Sequence, residues 1–590
     1  MTPTKKVVTI RELKRVPSKA MEKYIVVIGG VLSGVGKGVA TASIGKILKE
    51  YGYSTTAIKI DPYINYDAGT LRPTEHGEVW VTHDGGEIDQ DLGNYERFLE
   101  IDIPKKNNIT TGQIYKTVID RERRGEYLGE TVQFIPHIPE EIKRRIREAG
   151  AGYDIVLIEI GGTVGDYENI PFLFAIKGLE REIGKENIVY VLITFLPIPV
   201  HIGEMKTKPT QQAIKMLQEN GIIPDIILCR GKSPLDDVRR KKIELYANIK
   251  RDFVISAPDI TTLYKVPLNF EKENLGIKIL QKLNLKPRRR PNWGAWERLV
   301  KNIEDPQKHV TIGMIGKYVD IGDYSLRDAY ISINEGLEHA GAKLCVGVKI
   351  NWIDAKTLEK DMNAVTKLAN FNGIVIPGGF GATGVEGKIK AIQFARETGM
   401  PFLGLCYGMQ CAVVEFARNV CGMDGAHSTE VDPKTKYPVV DILPSQKELM
   451  AEHKYGGTMR LGAYAAYLKE ETLVYNLYER EGRIEKDMQE KLPPERMGIP
   501  IPGMKYVVER HRHRYEISPD YISPLEAKGL VFSGLHTCLD GTKLMEFMEL
   551  PGHPFFVATQ AHPEFRSRFL TPAPLILGFL EACCTRSNLK

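Results

Sequence analysis

The segment Pro401–Gln410 constrains the fold more than any other, because it predicts a strand, a sharp turn and the start of a helix in close succession. An apolar run precedes Cys406, and helical periodicity continues from Met409. Gly404 and Gly408, two positions on either side of the cysteine, lack the Cβ atoms that would clash in a tight turn. The pattern predicts a nucleophile elbow, in which the turn exposes the thiol and the helix N-terminus favours a thiolate and presents N–H groups to an oxyanion. A small buried core cysteine is the alternative.

A second pattern, near the C-terminus, supplies partners for this thiol. In Gln560–Glu564, a histidine and a carboxylate lie two positions apart after an apolar run. A cysteine nucleophile needs a base, and the base needs a group that orients it. We therefore predict that Cys406, His562 and Glu564 form a catalytic triad.

Three motifs in chain order resemble the class I, triad-type glutamine amidotransferases: the turn Pro377–Gly381, the elbow at Cys406 and the run His562–Glu564. The resemblance implies that this half of the chain hydrolyses glutamine and delivers ammonia to a synthase. Strands and helices alternate from Gly316, which predicts an α/β sheet. N–H groups of the turn could complete an oxyanion hole together with that of Tyr407.

By the same resemblance, several residues would hold the glutamine substrate. They are Gly379, Tyr407, Gly408, Met409, Gln410, Glu430 and Arg514. The family usually carries leucine at the position of Tyr407. We expect this residue to contribute through its backbone, so that activity survives the exchange.

Composition excludes several classes of function. A length of 590 residues predicts two or three domains. A hydrophobic content of 43% with 26% charged residues is typical of a soluble globular protein, and a formal net charge of +5 on so long a chain does not indicate a nucleic-acid partner. The longest apolar run, Ile188–Val200, is interrupted by two prolines and is too short to cross a bilayer. We expect no membrane association.

The cysteines and the N-terminus indicate a compartment. The eight cysteines include no Cys-x-x-Cys pair, so neither a zinc site nor a disulfide scaffold is indicated, and a reducing environment fits. The first twenty residues are basic but lack an apolar core, which argues against a secretion signal. We expect a cytoplasmic protein whose residues 1–20 form a loosely packed extension rather than a targeting peptide.

The first half of the chain begins with a phosphate-binding pattern. The β-branched run Tyr24–Ile28 precedes the glycine-rich loop Gly29–Gly38, and a helical segment follows. Such a loop wraps N–H groups round a triphosphate, while its lysine, here Lys37, reaches the phosphoryl group that is transferred. The strict Walker pattern fails, because Val31 replaces its first glycine and Gly38 replaces the residue whose hydroxyl binds magnesium. We nevertheless predict nucleotide binding, with a plain strand-to-helix turn as the alternative.

The missing hydroxyl requires other magnesium ligands, and two acidic segments could supply them. Glu159 lies near the end of an apolar strand, at the edge of the sheet where ligands bind in α/β folds. The loop Asp84–Asp91 is acidic, with Glu87, Asp89 and Asp91. Mg²⁺ usually takes one or two carboxylates together with phosphate oxygens and water, which both segments together could provide. For the acidic loop, a solvated turn is the alternative.

Two further segments carry cations that suit phosphate. Lys59 lies near the end of a second predicted strand, at the same sheet edge. The loop Lys206–Gln211 sets two lysines and two threonines before an amphipathic helix. A rigid, cationic loop rich in hydroxyls suits another phosphate chain. A solvated basic loop is the alternative.

Six segments in chain order, ahead of a glutaminase, resemble the CTP synthase family: Gly29–Gly38, Lys59–Asn65, His76–Val79, Asp91–Phe98, Glu159–Glu168 and Lys206–Gln211. The resemblance extends from Met21 to about Gly578. It implies a ligase of pyrimidine biosynthesis that uses ATP to phosphorylate O4 of UTP, after which ammonia attacks C4 and phosphate leaves. Such a reaction needs two triphosphates side by side, which explains two lysine-bearing phosphate loops in one domain.

The resemblance also implies specific ligands. Magnesium would be held by Asp91 and Glu159. ATP would be bound by Ser33, Gly34, Val35, Gly36, Lys37, Gly38, Lys59 and Asp91. UTP, or CTP as a feedback inhibitor, would be bound by Ser33, Asp166, Tyr167, Glu168, Lys206, Thr207, Lys208, Pro209, Thr210, Gln211 and Lys242.

The resemblance also implies roles for Lys242 and His76, a GTP-responsive segment and an oligomeric assembly. Lys242 lies in a basic run, where a solvated helix face is the alternative, and His76 is either close to the active site or a structural histidine. GTP would activate glutamine hydrolysis near Thr458–Gly462. The family forms homotetramers and can polymerise into filaments, so assembly is implied as well.

We expect four divisions of the chain. Residues 1–20 form the extension, 21–285 an amidoligase domain with a P-loop-type parallel sheet, 286–306 a linker with a basic run and a bridging helix, and 307–590 an α/β glutaminase domain. The charged stretch between Arg480 and Lys505 predicts a surface loop. His511 and His513 alternate with arginines along a predicted strand, so we do not predict a metal site there.

Two alternatives of other classes compete with this interpretation. A nucleotide-switched assembly or filament protein could carry a vestigial glutaminase-like domain, but the intact triad argues against it. Another glutamine-dependent amidoligase could phosphorylate a carboxylate or an amide instead of uracil. Lys206–Gln211, together with Asp166 and Glu168, favours the uracil nucleotide over these other substrates, because the set resembles a pyrimidine triphosphate site.

Overall fold

The computed structural model describes residues 22–316, 320–321, 324–325, 327–442 and 459–588. The predicted N-terminal extension, and Thr458 in the segment expected near GTP, lie outside these residues. Within the described ranges, no helix combines the length and the apolar character needed to cross a membrane.

The amino-terminal half is built round a parallel sheet whose strands are apolar and almost wholly buried, as a sheet covered on both faces requires. Its strands and those of a small hairpin are Lys23–Gly29 (β1), Thr55–Asp61 (β2), Trp80–Val81 (β3), Glu87–Ile88 (β4), Asn108–Thr110 (β5), Ile155–Ile160 (β6), Ile188–Phe195 (β7), Ile226–Gly231 (β8) and Val254–Pro258 (β9). The seven-stranded sheet has the order β5-β2-β6-β1-β7-β8-β9 with parallel pairing throughout, and β3 pairs antiparallel with β4.

The helices of this half cover both faces of the sheet. They are Lys37–Glu50 (α1), Pro73–His76 (α2), Asp91–Leu99 (α3), Thr111–Arg123 (α4), Phe134–Gly150 (α5), Ile170–Ile183 (α6), Lys208–Glu219 (α7), Asp237–Ala247 (α8), Val266–Lys272 (α9) and Leu275–Lys282 (α10). Two apolar clusters, one on each side of the sheet, form the core.

Strand register decides which side chains meet at the carboxyl edge of this sheet. Lys59 on β2 lies opposite Glu159 on β6, and Glu159 lies opposite Val27 on β1. The glycine-rich loop leaves β1 at the same edge and ends where α1 begins, at Lys37. The topology therefore brings the phosphate loop, Lys59 and a carboxylate together, as the sequence predicts.

The carboxy-terminal half contains a mixed sheet of nine strands and two smaller sheets. The strands are Lys308–Gly316 (β10), Asp320–Ile321 (β11), Tyr324–Ser325 (β12), Val346–Asp354 (β13), Gly373–Ile376 (β14), Phe402–Leu405 (β15), His427–Ser428 (β16), Pro438–Ile442 (β17), Arg460–Leu468 (β18), Lys505–His513 (β19), Tyr515–Ile517 (β20), Val531–Thr537 (β21), Lys543–Glu549 (β22) and Phe556–Thr559 (β23). The main sheet has the order β13-β10-β14-β15-β23-β22-β21-β18-β19, parallel as far as β23 and antiparallel beyond.

Helices pack on this sheet and connect it to the first half. They are Gly294–Glu304 (α11), Ile331–Leu344 (α12), Ala355–Lys360 (α13), Met362–Thr366 (α14), Val385–Thr398 (α15), Tyr407–Asn419 (α16), Leu473–Arg480 (α17), Arg483–Asp487 (α18), Pro494–Met497 (α19), Ile522–Glu526 (α20) and Pro574–Asn588 (α21). Both halves thus have the predicted α/β fold, and α11 is the helix predicted to bridge them.

The basic run before α11 is exposed but not free. Arg288 makes two hydrogen bonds to Asp154, at 2.7 and 2.9 Å, and its guanidinium lies 4.2 Å from the ring centroid of Tyr53. Arg289 donates to the carbonyl oxygens of Lys49 and Glu50 at the end of α1, where a cation also complements the helix dipole. The run is therefore attached to the end of α1 and to Asp154, the residue before β6.

The prediction of a surface loop between Arg480 and Lys505 is wrong for part of that stretch. It contains α18 and α19, and Asp487 is fully buried. Nη2 of Arg483 lies 3.1 Å from Asp487 and 3.3 Å from Glu509 on β19. Charge and proline content predicted exposure, but these charges pair with each other and with a neighbouring strand, which permits their burial.

An ionic cluster that is buried except at the partly exposed side chain of Asp102 joins the two halves. Nη2 of Arg510 lies 2.8 Å from Glu96 and 2.7 Å from Asp102, and Nη2 of Arg568 lies 2.8 Å from Asp102. The side chains of Glu96 and Arg510 have no exposed surface. Burial opposes ionisation of Asp102, but the neighbouring guanidinium groups outweigh it and hold the pKa of this carboxyl well below its usual range.

Replacing Arg510 with methionine should destabilise this interface, because Glu96 and Asp102 both lose a guanidinium partner. Losing one member of a buried ion pair costs about 3–5 kcal/mol, and we expect about 3 kcal/mol because Arg568 remains. Urea denaturation followed by tryptophan fluorescence measures this change in the free energy of unfolding, since Arg510 lies 5.5 Å from the ring centroid of Trp80. Arg289→Met, at an exposed site, is the control and should cost less than about 1 kcal/mol. Equal urea midpoints for the two variants would refute a stabilising role for the cluster.

Candidate active site

Cys406 occupies the turn between β15 and α16 with a φ of 50° and a ψ of −100°, which non-glycine residues rarely adopt. The flanking glycines permit this close approach. A Cβ on Gly408 would lie 2.3 Å from the carbonyl oxygen of Ile376, and one on Gly404 would lie 2.8 Å from the Cβ of Ala558. The turn has the geometry expected of a nucleophile elbow.

His562 and Glu564 lie beside this thiol, just beyond the end of β23. Nδ1 of His562 is 2.7 Å from Oε1 of Glu564. A Cβ on Gly378 would lie 2.8 Å from Cε1 of His562 and 3.7 Å from the Cβ of Cys406, so both groups approach the same glycine. Burial disfavours the imidazolium, but the charges of Glu564 and Cys406 outweigh it and raise the pKa of His562 to about 10. The arrangement suits a nucleophile, its base and an orienting carboxylate.

The thiol opens into a cavity of about 360 Å³ between the two halves. Gly379 and Arg514, both expected to bind glutamine, line this cavity with Cys406 and His562. Residues of the first half complete its wall: Gly69, Leu71, Pro73, Glu78 and Val79.

Met409 and Gln410 lie behind the nucleophile, almost fully buried, rather than in the cavity wall. The side-chain amide of Gln410 donates to the carbonyl oxygen of Tyr515 at 3.0 Å. The amide of Gln560 lies 3.7 Å from Sγ of Cys406, so it contacts the thiol directly. Gln560 was not among the residues predicted from the sequence, although its place in the motif with His562 could have indicated it.

Two side chains hold the glycine turn that follows β14. Oε1 of Glu430 accepts the N–H of Gly381 at 2.7 Å, and the hydroxyl of Tyr407 donates to the carbonyl oxygen of Gly381 at 2.9 Å. Tyr407 therefore makes a side-chain contact in addition to the backbone contribution expected of it.

A second cavity, of about 640 Å³, lies at the carboxyl edge of the parallel sheet. It brings together most of the residues expected to bind ATP and magnesium, with two of those expected to bind UTP: Gly34, Val35, Gly36, Lys37, Gly38, Lys59, Asp91, Glu159, Asp166 and Glu168. His76 and Asp89 also line it.

Lys59 lies at the centre of a carboxylate cluster in this cavity. Its Nζ is paired with Asp91 and lies 3.4 Å from Glu159, 3.6 Å from Asp61 and 3.7 Å from Asp89. Burial would lower the pKa of Lys59, but the surrounding carboxylates hold it well above its usual value. Burial raises the pKa of Glu159 to about 6 despite the lysine.

The acidic loop is not a solvated turn. Two of its carboxylates line the second cavity, and a third lies at the interface between the two halves. Asp89 and Asp91 line the second cavity. Glu87 is buried and pairs instead with Arg512 of the second half, at 2.9 Å. This pairing joins segments far apart in sequence, so local pattern could not reveal it.

Gly38 and Asp91 explain the departure from the Walker pattern. A Cβ on Gly38 would lie 2.2 Å from Oδ1 of Asp91, so the carboxylate occupies the space where a serine or threonine side chain would begin. Nζ of Lys37 donates to the carbonyl oxygen of Gly162 at 2.6 Å. The loop thus presents a lysine and a carboxylate side by side at its mouth.

The other residues expected to bind UTP do not line this cavity. Ser33, Tyr167, Lys208 and Lys242 are exposed, and Tyr167 has 77% of its surface accessible. Thr210 is buried, with its hydroxyl 3.0 Å from that of Thr194. Thr207 is nearly buried, whereas Lys206, Pro209 and Gln211 are partly exposed.

An apolar cleft beside the phosphate loop was not predicted. Nη1 of Arg230, at the end of β8, lies 3.5 Å from the position of a Cβ on Gly36. The other residues that line the cleft come from several distant segments: Val39, Ala40, Ile193, Ala257, Pro258, Ile260, Val266, Asn269 and Phe270. In the sequence, only the position of Arg230 near the carboxyl end of a predicted strand could have indicated this cleft.

One short segment lies between the two cavities. Pro73, Glu78 and Val79 line the thiol cavity, while His76 lines the nucleotide-loop cavity. Glu78 accepts the backbone N–H of Ser332 at the start of α12, at 3.1 Å. Burial raises the pKa of Glu78 to about 7.

A thiol triad in one half and a phosphate loop in the other define a two-domain, glutamine-dependent amidotransferase. Residues 23–285 match the family model of the CTP synthase N-terminus, and residues 325–582 match that of class I glutamine amidotransferases. The CTP synthase of Methanocaldococcus jannaschii is 51% identical over 565 residues, 95% of this chain and 98% of that protein. The CTP synthase of Pyrococcus abyssi is 51% identical over 562 residues, with the same coverage. The chain belongs to the CTP synthase family.

Proposed function

We infer that this chain aminates UTP to CTP with ATP and with ammonia released from glutamine. The observation that carries this conclusion is the pairing of a thiol cavity with a phosphate-loop cavity on either side of the segment Pro73–Val79. An absorbance assay of CTP formation tests it, with glutamine or ammonia as nitrogen donor. Both donors should yield CTP. Glutamine hydrolysis without CTP would indicate another amidoligase, and nucleotide-dependent assembly without turnover would indicate an assembly protein.

In the glutaminase half, His562 takes the proton of the Cys406 thiol, and the thiolate attacks the amide carbon of glutamine. N–H groups of Gly379 and Tyr407 stabilise the oxyanion of the tetrahedral intermediate. The imidazolium then protonates the leaving ammonia, and water hydrolyses the thioester. The proposed glutamine site consists of Gly379, Tyr407, Gly408, Met409, Gln410, Glu430 and Arg514. In this proposal Gly379 and Arg514 contact the glutamine substrate, and the other residues support the nucleophile elbow and the glycine turn.

Replacing Glu564 with glutamine should shift the pH dependence of glutamine hydrolysis. Glu564 stabilises the imidazolium, so its removal lowers the pKa of His562 from about 10. Because activity requires the imidazolium as proton donor, the alkaline limb of kcat/KM should move to lower pH by at least about 1 unit. Rate profiles between pH 6 and 11 measure it, and ammonia-dependent CTP formation is the control. An alkaline limb that stays in place would count against this role of Glu564.

In the amidoligase half, the loop Ser33–Gly38 and Lys59 bind the triphosphate of ATP, and Lys37 reaches the phosphoryl group that moves to O4 of UTP. The apolar cleft beside Gly36 supports a position for the base of ATP. Ammonia attacks C4 of the phosphorylated ring, and phosphate leaves. The buried charges of Lys59 and Glu159 support this step, because electrostatic stabilisation is strongest where water is excluded.

Magnesium is proposed to bind at Asp91 and Glu159. The support is the Gly38–Asp91 contact, which replaces a hydroxyl by a carboxylate at the mouth of the loop. In the described part of the chain, no group of three or more acidic, histidine or cysteine side chains is arranged to hold a metal unaided, so phosphate oxygens and water would complete the shell. When bound, the ion would neutralise phosphate charge. Chelation should abolish CTP formation and spare glutamine hydrolysis.

The pyrimidine triphosphate, UTP or CTP as inhibitor, is proposed to bind at Asp166 and Glu168 together with Ser33, Tyr167, Lys206–Gln211 and Lys242. Asp166 and Glu168 support it as residues of the cavity wall, and Lys206, Lys208 and Lys242 support it as cations that solvent reaches. Competition by CTP against UTP, weakened by Lys206→Ala, would test the assignment.

We propose a homotetramer. Several large apolar side chains are exposed on and near α4, α5 and α6: Ile119, Leu128, Phe134, Ile135, Ile170 and Phe174. Large apolar side chains that remain exposed on neighbouring helices support an association site. Light scattering should give four copies, and Phe174→Asp should reduce that number.

GTP is proposed to activate glutamine hydrolysis near Met459–Gly462. Met459 lines the thiol cavity, and the N–H of the next strand residue, Ala463, donates to the carbonyl oxygen of His83 across the interface at 2.9 Å. A ligand here would contact both halves. Glutaminase rates with and without GTP test the proposal.

A cytoplasmic location is also proposed. All eight cysteines are free thiols, as expected in a reducing compartment. Cell fractionation tests it, since recovery of the chain with a secreted fraction would contradict the proposal.

A further inference from the structure

Tyr407, the residue after the nucleophile, makes contacts that a backbone role does not require. Its side chain is buried, with 3% of the residue exposed. Its hydroxyl donates to the carbonyl oxygen of Gly381 at 2.9 Å. Nζ of Lys388, itself 1% exposed, lies 4.8 Å from the ring centroid. The phenol therefore lies between a buried ammonium and the glycine turn.

The turn depends on such contacts. Residues 378–381 include three glycines, and Gly381 has a φ of 78°. Glycine adopts many conformations, so peptide planes in this turn need fixing from outside. Glu430 binds the N–H of Gly381 and Tyr407 binds its carbonyl oxygen, so both polar backbone groups of this residue are held.

The orientation of these peptides matters for the reaction. Oxyanion donors accelerate catalysis only when they are aimed in advance at the developing charge. A rotated peptide in the turn would present a carbonyl oxygen there in place of an N–H. Lys388 holds the ring in place by cation–π attraction, and its Nζ also lies 3.7 Å from the position of a Cβ on Gly379.

We propose that the side chain of Tyr407 is a positioning residue for glutamine hydrolysis, which through Gly381 keeps the N–H groups of the turn directed at the oxyanion. This inference rests on the glutaminase reaction proposed above. Direct loss of an oxyanion donor costs about 10²–10³ in kcat, and loss of an indirect contact should cost about tenfold.

Tyr407→Phe tests the proposal, because it removes the hydroxyl and keeps the ring over Lys388. For glutamine hydrolysis we expect kcat to fall about tenfold and KM to stay within about twofold, since the contact acts in the transition state. CTP formation from ammonia in the same preparation should keep the parent rate. The matched control is Tyr478→Phe, which removes a buried hydroxyl bonded to Glu509 at 2.8 Å, away from the turn. It should leave kcat unchanged.

Parent kcat in Tyr407→Phe would overturn the proposal, and so would a rise in KM alone, which would make Tyr407 a substrate-binding residue. If Tyr407→Phe also lost ammonia-dependent activity, a general folding defect would be the cause, and the variant Lys388→Met would test the positioning role instead. A selective loss of glutamine hydrolysis in that variant supports the proposal, and unchanged hydrolysis refutes it. If the parent chain itself does not hydrolyse glutamine, the proposed function fails instead.

Discussion

Replacing Cys406 with alanine is expected to reduce CTP formation from glutamine by at least about a thousandfold, while CTP formation from ammonia continues near the parent rate. In the proposed mechanism the sulfur of Cys406 attacks the amide carbon, and the neighbouring His562 and Glu564 cannot replace it. The phosphate-loop cavity has its own residues and does not include Cys406. CTP formation with each nitrogen donor, followed by absorbance, measures the difference.

Cys411→Ala is the matched control for this variant. Cys411 lies on α16 one turn beyond the elbow, is buried, and does not line the thiol cavity. It should keep activity with both donors. Equal loss of both activities in Cys406→Ala would contradict the division of labour between the halves, as would full activity with glutamine.

Replacing Lys37 with alanine is expected to remove CTP formation with either donor, by at least about a hundredfold. Its ammonium lies at the mouth of the loop, within the cavity that holds Lys59 and Asp91. In the proposed reaction Lys37 stabilises the phosphoryl group that moves to O4, so without this charge ammonia from any source meets an unactivated ring.

Glutamine hydrolysis should persist in Lys37→Ala, because the triad is intact. Lys49→Ala, at the other end of α1, is the control and should keep CTP formation, since Lys49 bonds the carbonyl oxygen of Leu99 outside the cavity. CTP formation by Lys37→Ala at the parent rate would show that the loop has been assigned the wrong role.

Features set by local conformation could be predicted from the sequence. The elbow at Cys406 depends on glycines whose neighbours leave no room for a Cβ. In the phosphate loop, Gly38 is crowded in the same way, whereas Gly34 and Gly36 adopt positive φ, and all of these positions appear directly as glycine in the sequence. Lys59 and Glu159 could be placed at one edge because neighbouring parallel strands end there.

Features set by distant contacts could not be predicted. Glu87 pairs with Arg512 across the interface, and Arg483 pairs with Glu509 in a stretch whose composition indicated a loop. Arg230 reaches the phosphate loop from a separate strand. In each case one charged residue gives no local sign of its partner, and burial depends on that partner.

If the two halves act together, ammonia made at Cys406 should pass to the pyrimidine inside the protein before it mixes with the solution. The most direct test uses glutamine labelled with ¹⁵N at the amide. The reaction is run with excess unlabelled ammonium in solution, and the isotope content of the amino group of CTP is read by mass spectrometry. We predict CTP enriched in ¹⁵N far above the isotope ratio of the dissolved ammonium. CTP with the isotope ratio of the solution would contradict internal transfer.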